Sequence, residues 1–91
     1  MRALIVDDEA VARDALRILL KEHVPDADVI GEASSATEAL AMIRTKKPDL
    51  VFLDVQMSGG DGFSLLRDLG TWDFDVIFAT GSDKHAIQAI R

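Results

Sequence analysis

Leu50-Val51-Phe52-Leu53-Asp54 decides the fold of this chain. Four consecutive apolar residues with no polar alternation suit a strand covered on both faces, and such strands belong to parallel sheets flanked by helices. Two other stretches repeat the pattern of an apolar run ending in polar or acidic residues. Ala3-Leu4-Ile5-Val6 ends in Asp7-Asp8-Glu9, and Val76-Ile77-Phe78-Ala79 ends in Thr80-Gly81-Ser82-Asp83. In an open parallel sheet the C-terminal strand ends meet at one edge, which is where ligands bind in such folds. Asp7, Asp8 and Asp54 are therefore expected to converge, with Thr80 beside them. Clustered carboxylates repel unless a cation holds them, and oxygen-only donors favour a hard ion such as Mg²⁺.

Between these runs lie stretches of helical periodicity. Ala12, Leu16, Leu19, Leu20 and His23 share one helix face, with Arg13, Arg17 and Lys21 opposite. Val24-Pro25-Asp26 closes that helix. Val29 and Ile30 form a short, more polar strand, expected at an edge. Ser35 followed by Glu38 has the spacing of a capping box, with Ala39, Leu40 and Ile43 as the buried stripe behind it. Lys46-Lys47-Pro48 ends this second helix with positive charge at its C-terminus. Gly59-Gly60-Asp61-Gly62 makes a turn, and Phe63, Leu66 and Leu69 mark a third helix ending at Gly70. Ser82 is expected to cap a last helix with Ala86, Ile87 and Ile90 inward. The order reads βαβαβαβα, with helices on both faces of a twisted parallel sheet.

Composition narrows the function classes. The 91 residues make one small domain, and 48% hydrophobic with 29% charged residues is ordinary for a globular chain. A net charge of −6 lacks the basic footprint of a nucleic-acid-binding segment. The absence of cysteine excludes disulfides and thiolate metal sites. No secretory or spanning segment is read from the sequence, so a cytoplasmic location is expected.

Ile5-Val6-Asp7-Asp8-Glu9, Leu53-Asp54-Val55-Gln56-Met57, Asp61-Gly62 and Ala79-Thr80-Gly81 together resemble the receiver domain of two-component response regulators. The resemblance runs from Met1 to Arg91. It implies a flavodoxin-like, doubly wound sheet, here the (βα)4 portion of a (βα)5 fold with strand order 2-1-3-4. It also implies that Asp54 accepts a phosphoryl group from a sensor histidine kinase. Asp7, Asp8, Asp54 and the backbone carbonyl of Gln56 would hold Mg²⁺, and Thr80 would contact the phosphoryl group and switch. Gln56 and Ser82 occupy positions that tune hydrolysis in the family. The stretch Asp75 to Thr80 with Ala86 to Ile90 further resembles receivers joined to a LytTR-type DNA-binding domain, implying a transcription factor as the parent protein.

Two departures from the family pattern stand out. Ser58 occupies a position where the family usually has proline. The fifth strand with its lysine and the fifth helix are not in the chain, and none of Lys21, Lys46, Lys47 or Lys84 is expected to replace that lysine. The expectation is a receiver domain over residues 1–91, truncated at its C-terminus and without its output domain. The fourth strand would then be a bare apolar edge that favours self-association, by edge pairing or element exchange. The alternative function is a non-switching fragment acting only in protein contacts.

Each piece alone has a plainer reading. Asp7, Asp8 and Glu9 could simply cap the first helix. Gly59, Gly60 and Gly62 read as turn geometry, since no lysine-bearing phosphate loop follows. His23 and His85 do not make a metal site, and Trp72 reads as packing at the end of the third helix. A haloacid-dehalogenase-type hydrolase also forms an aspartyl phosphate, but it needs an acid two residues after the nucleophile, where this chain has Gln56. A turnover enzyme is therefore not expected.

Overall fold

A computed structural model describes the backbone of residues 1–54, 56–57, 60–80 and 83–90, and the side chains of residues 1–54 and 64–78. Strand β1 (Arg2–Val6) leads to helix α1 (Ala10–His23), then β2 (Asp28–Ala33) and α2 (Ala36–Lys46). Strand β3 (Leu50–Asp54) is followed by two short strands, β4 (Gln56–Met57) and β5 (Gly60–Asp61). Helix α3 (Gly62–Leu69), β6 (Asp75–Thr80) and β7 (Asp83–Ile90) complete the described chain.

The main sheet has the order β2-β1-β3-β6-β7, and its first four strands are parallel. Numbered among themselves, these four have the expected order 2-1-3-4, with β2 at an edge. Every residue of β3 is buried, as its unbroken apolar run requires. One face of the sheet packs Leu4, Val6, Val51, Leu53, Val76 and Phe78 against Ala39 and Ile43 of α2 and Leu65 and Leu66 of α3. The other face carries Ala3, Ile5, Leu50 and Phe52 against Leu20, with Leu16 partly buried beside them. Apolar area removed from water on both faces is the main stabilising term for such a small sheet.

The helix ends follow local chemistry. The Ser35 hydroxyl accepts a hydrogen bond from the Glu38 N–H at 3.2 Å, capping α2, while the Glu38 carboxylate accepts from the Ser34 hydroxyl at 3.1 Å. Lys47 ends α2 in the left-handed region at φ 49°, and its N–H donates to the Ile43 carbonyl. Gly70 ends α3 at φ +77°, a conformation that costs little without a Cβ.

Three expectations are corrected. In α1, Leu20 is buried and Leu16 half-buried, but Leu19 is 50% exposed and His23 is exposed. The inward stripe runs through Ala12, Leu16 and Leu20, one strict i, i+4 row, so Leu19 turns away with Val11 and Ile18. Second, residues Asp83–Ile90 form a strand and not a helix, pairing antiparallel with β6 from Val76↔Ile90 to Thr80↔Asp83. A short apolar segment fits either period. Here pairing satisfies the outer N–H and C=O groups of β6, which a helix would leave open. Third, and for the same reason, β6 is not a bare edge: β3 lies on one side and β7 on the other. The route to self-association through that edge is thereby closed.

Candidate functional site

Parallel register builds the site. Val6 pairs with Leu53, and Asp54 pairs with Ala79, so β1, β3 and β6 end at one level. Asp7 and Asp8 follow directly from β1, Asp54 is the last residue of β3, and Thr80 is the last of β6. The carboxylate oxygens of Asp7, Asp8 and Asp54 lie within 4.8 Å of one another. Asp7 is 6% and Asp54 3% exposed, whereas Asp8 faces solvent. Two buried carboxylates with a third at the mouth form an oxygen-only donor set open on one side.

Such a set fits a hard divalent cation that keeps several of its waters and needs few protein ligands. Carboxylates this close repel one another, and a bound cation offsets that repulsion.

The Asp7 backbone is held from several directions. Its N–H donates to the Ala33 carbonyl of β2 at 3.0 Å. Its own carbonyl accepts from Nη1 of Arg13 at 2.6 Å. Its Oδ1 accepts from the Glu9 N–H at 2.9 Å, an Asx-type turn that leads into α1. The side chain of Glu9, at the N-cap position, makes no capping bond of its own.

The remaining predicted residues sit as follows. Gln56 opens β4, two residues beyond Asp54, and pairs with Asp61 in a two-residue antiparallel ladder. Thr80 stands one position past Ala79, the register partner of Asp54. The side chains of Gln56 and Thr80 lie outside the described residues, as does Ser82 altogether, along with Ser58 and Gly59. Lys21, Lys46 and Lys47 lie at helix C-termini, at the opposite end of the sheet. Lys84 is the second residue of β7, near the level of Thr80, and its side chain is likewise outside the described residues.

Sequence reasoning missed Arg13, which it placed on the solvent face of α1. Its side chain is only 19% exposed, and its Nε faces Oε1 of Glu32 at 3.4 Å. Glu32 also pairs with Arg17, which in turn contacts Asp14 at 2.7 Å. A basic residue at i+6 from an acidic pair is the only local signal, and it says nothing of Glu32 on another strand.

Among the described residues no helix is long and apolar enough to cross a membrane.

Comparison with known proteins places these features. The family described as response regulator receiver domain matches residues 3–91. The sensory transduction protein LytT of Bacillus anthracis is 41% identical over all of this chain, which spans 37% of that protein. An uncharacterized response regulatory protein of Vibrio vulnificus is 46% identical, and the transcriptional regulatory protein BtsR of Escherichia coli K12 is 37% identical. Each again matches all of this chain, which spans 38% of either protein. Among solved structures, the response regulator domain of Thermotoga maritima CheB superposes with a TM-score of 0.79 at 30% identity, covering 88% of this chain and 60% of that one. A two-component response regulator of the LuxR family from Aurantimonas sp. SI85-9A1 gives 0.78 at 32%, covering 87% and 57%.

Proposed function

The chain belongs to the response regulator receiver domain family, and on that premise we propose that it is a phosphoacceptor module with Asp54 as the acceptor. The observation that carries this reading is the approach of Asp7, Asp8 and Asp54 within 4.8 Å at the carboxyl edge of the sheet. Asp54 ends a wholly buried strand, so its carboxylate is fixed in place before a donor arrives.

Asp7, Asp8, Asp54 and the Gln56 backbone carbonyl are the residues that would hold Mg²⁺. Bound there, the ion supplies neutralisation of the carboxylates and of the incoming phosphoryl oxygens. The protein's own part is nucleophilic attack. An ionised Asp54 oxygen forms a bond to phosphorus, the phosphorus–nitrogen bond of a donor phosphohistidine breaks, and the imidazole leaves with the electron pair. The product is an acyl phosphate on Asp54 and a free histidine on the kinase. Thr80 then offers a hydroxyl donor to the new phosphoryl oxygens, which biases the end of β6 between two arrangements. Gln56 and Ser82 occupy the positions that would tune hydrolysis of the acyl phosphate. Self-modification of this kind is not turnover.

A longer parent protein with a DNA-binding output of LytTR type, in the cytoplasm, is the setting we propose. Its likeness to LytT and BtsR, of which the chain spans little more than a third, supports this. The test is intact mass after incubation with a small-molecule phosphodonor. We expect one phosphoryl adduct that needs Mg²⁺, is absent with chelator and is lost in Asp54→Asn. Labelling that persists in Asp54→Asn removes Asp54 as the acceptor.

A further inference from the structure

Arg13 lies outside the acidic trio, yet it holds the trio's backbone. Its Nη1 donates to the Asp7 carbonyl at 2.6 Å, while its Nε faces the Glu32 carboxylate at 3.4 Å. Glu32 belongs to β2 and pairs in register with Ile5, two residues before Asp7. The guanidinium therefore bridges the end of β1 to β2 from a half-buried position. The Asp7 N–H is already fixed on Ala33, so Arg13 completes a two-sided clamp on the Asp7 peptide units. A charged donor on a backbone carbonyl is among the stronger hydrogen bonds a protein makes.

We propose that Arg13, oriented by Glu32, is a positioning residue that sets the Asp7–Asp8 backbone for divalent-cation binding. This rests on reading the trio as a Mg²⁺ site. Two effects of Arg13 oppose each other. Its positive charge repels a cation, whereas its hydrogen bond fixes the residues that would ligate one. The charge is compensated locally, because Arg13 and Arg17 face Glu32 and Arg17 also faces Asp14. This compensation weakens the repulsion, and the clamp outweighs what remains.

The experiment is a Mg²⁺ titration of the intact chain followed by backbone amide NMR shifts, which needs no phosphorylation. Loss of a residue that orients a metal ligand typically costs 10–100-fold in affinity. Arg13 acts on the main chain of Asp7, so Arg13→Ala should weaken Mg²⁺ binding by about tenfold, at the low end of that range. Arg13→Lys, which keeps the charge and one donor, should recover part of the loss. Glu32→Gln, which leaves Arg13 in place but frees it, should also weaken binding, and it carries the test if Arg13→Ala does not fold. Wild-type affinity in folded Arg13→Ala, or tighter binding, overturns the proposal; so does wild-type affinity in Glu32→Gln where Arg13→Ala fails to fold. Those results leave the site reading standing if Asp54→Asn still weakens binding. A wild-type chain that binds no Mg²⁺ overturns the site reading and this proposal together.

Discussion

Asp7 and Asp54 leave adjacent parallel strands at the same level, because Val6 pairs with Leu53, and their carboxylates come within 4.8 Å. Register alone brings them together, and a slip by one residue would send one side chain to the other face. The consequence is a site whose unliganded form holds like charges at close range on a buried floor. Anything that binds these charges only in the folded chain must stabilise the fold.

Mg²⁺ should therefore raise the unfolding temperature relative to chelator. At ten times its dissociation constant the gain is about 1.4 kcal/mol, or roughly 6–11 °C for a domain this small. Asp8→Asn removes the solvent-facing member of the trio and should shrink the shift without disturbing the core. Thermal unfolding of both chains, with Mg²⁺ and with chelator, checks this. An equal shift in Asp8→Asn would take that residue out of the site.

The parts of the fold that were legible in the sequence are those set by a face pattern. Leu50 to Leu53 are buried on both faces and are apolar without interruption, so the central strand announces itself. The convergence of Asp7, Asp8 and Asp54 followed from placing three such runs in parallel. What escaped depends on neighbours distant in the chain. Arg13 looks like a solvated helix residue until Glu32 of β2 is placed beside it. Leu19 belongs to the apolar stripe by period, yet only the row through Ala12, Leu16 and Leu20 meets the sheet. Asp83–Ile90 carries both periods weakly, and its pairing with β6 is a tertiary outcome.

Trp72 should be blind to the site. Asp75 pairs with Leu50 at the start of β3, whereas Asp54 ends it, which separates the two ends by roughly 13 Å at about 3.3 Å per residue. Trp72 lies before Asp75, packed 6.4 Å from Phe74 between ring centroids, beside Ile43, Lys47 and Leu69. Its emission should stay unchanged across a Mg²⁺ titration that shifts the amides of Asp8 and Glu9. A saturable change in emission would mean that both ends of the sheet move together.

The α2 cap can be tested in isolation. The Ser35 hydroxyl satisfies the otherwise unpaired N–H of Glu38, at 3.2 Å. Ser35→Ala should cost about 1 kcal/mol in denaturant unfolding. Ser35→Asp should cost far less, since its carboxylate accepts the same bond and suits the positive end of the helix dipole. Equal losses in the two variants would show that the cap contributes little here.

Gly31 offers a sharper probe of how β2 sits under α2. The β1–β2 register shifts between Ala3 and Leu4, so that Ala3 faces Val29 while Leu4 faces Gly31. A Cβ at Gly31 would lie 3.3 Å from Cδ1 of Leu4, 3.5 Å from Sδ of Met42 and 3.6 Å from Cδ of Lys46. The Met42 and Lys46 contacts are ordinary, and both side chains can yield. Leu4 has the least room to yield, because it is fully buried in the core with Val6, Ala33 and Val51. The added methyl must therefore displace Leu4 or push β2 away from β1, and overpacking of this kind costs about 1–3 kcal/mol. Gly31→Ala alone should show that loss in denaturant unfolding. Adding Leu4→Val, which trims the obstructing side chain, should make the double variant more stable than the sum of the two single losses implies. Strict additivity would mean that Leu4 is not what the new methyl meets.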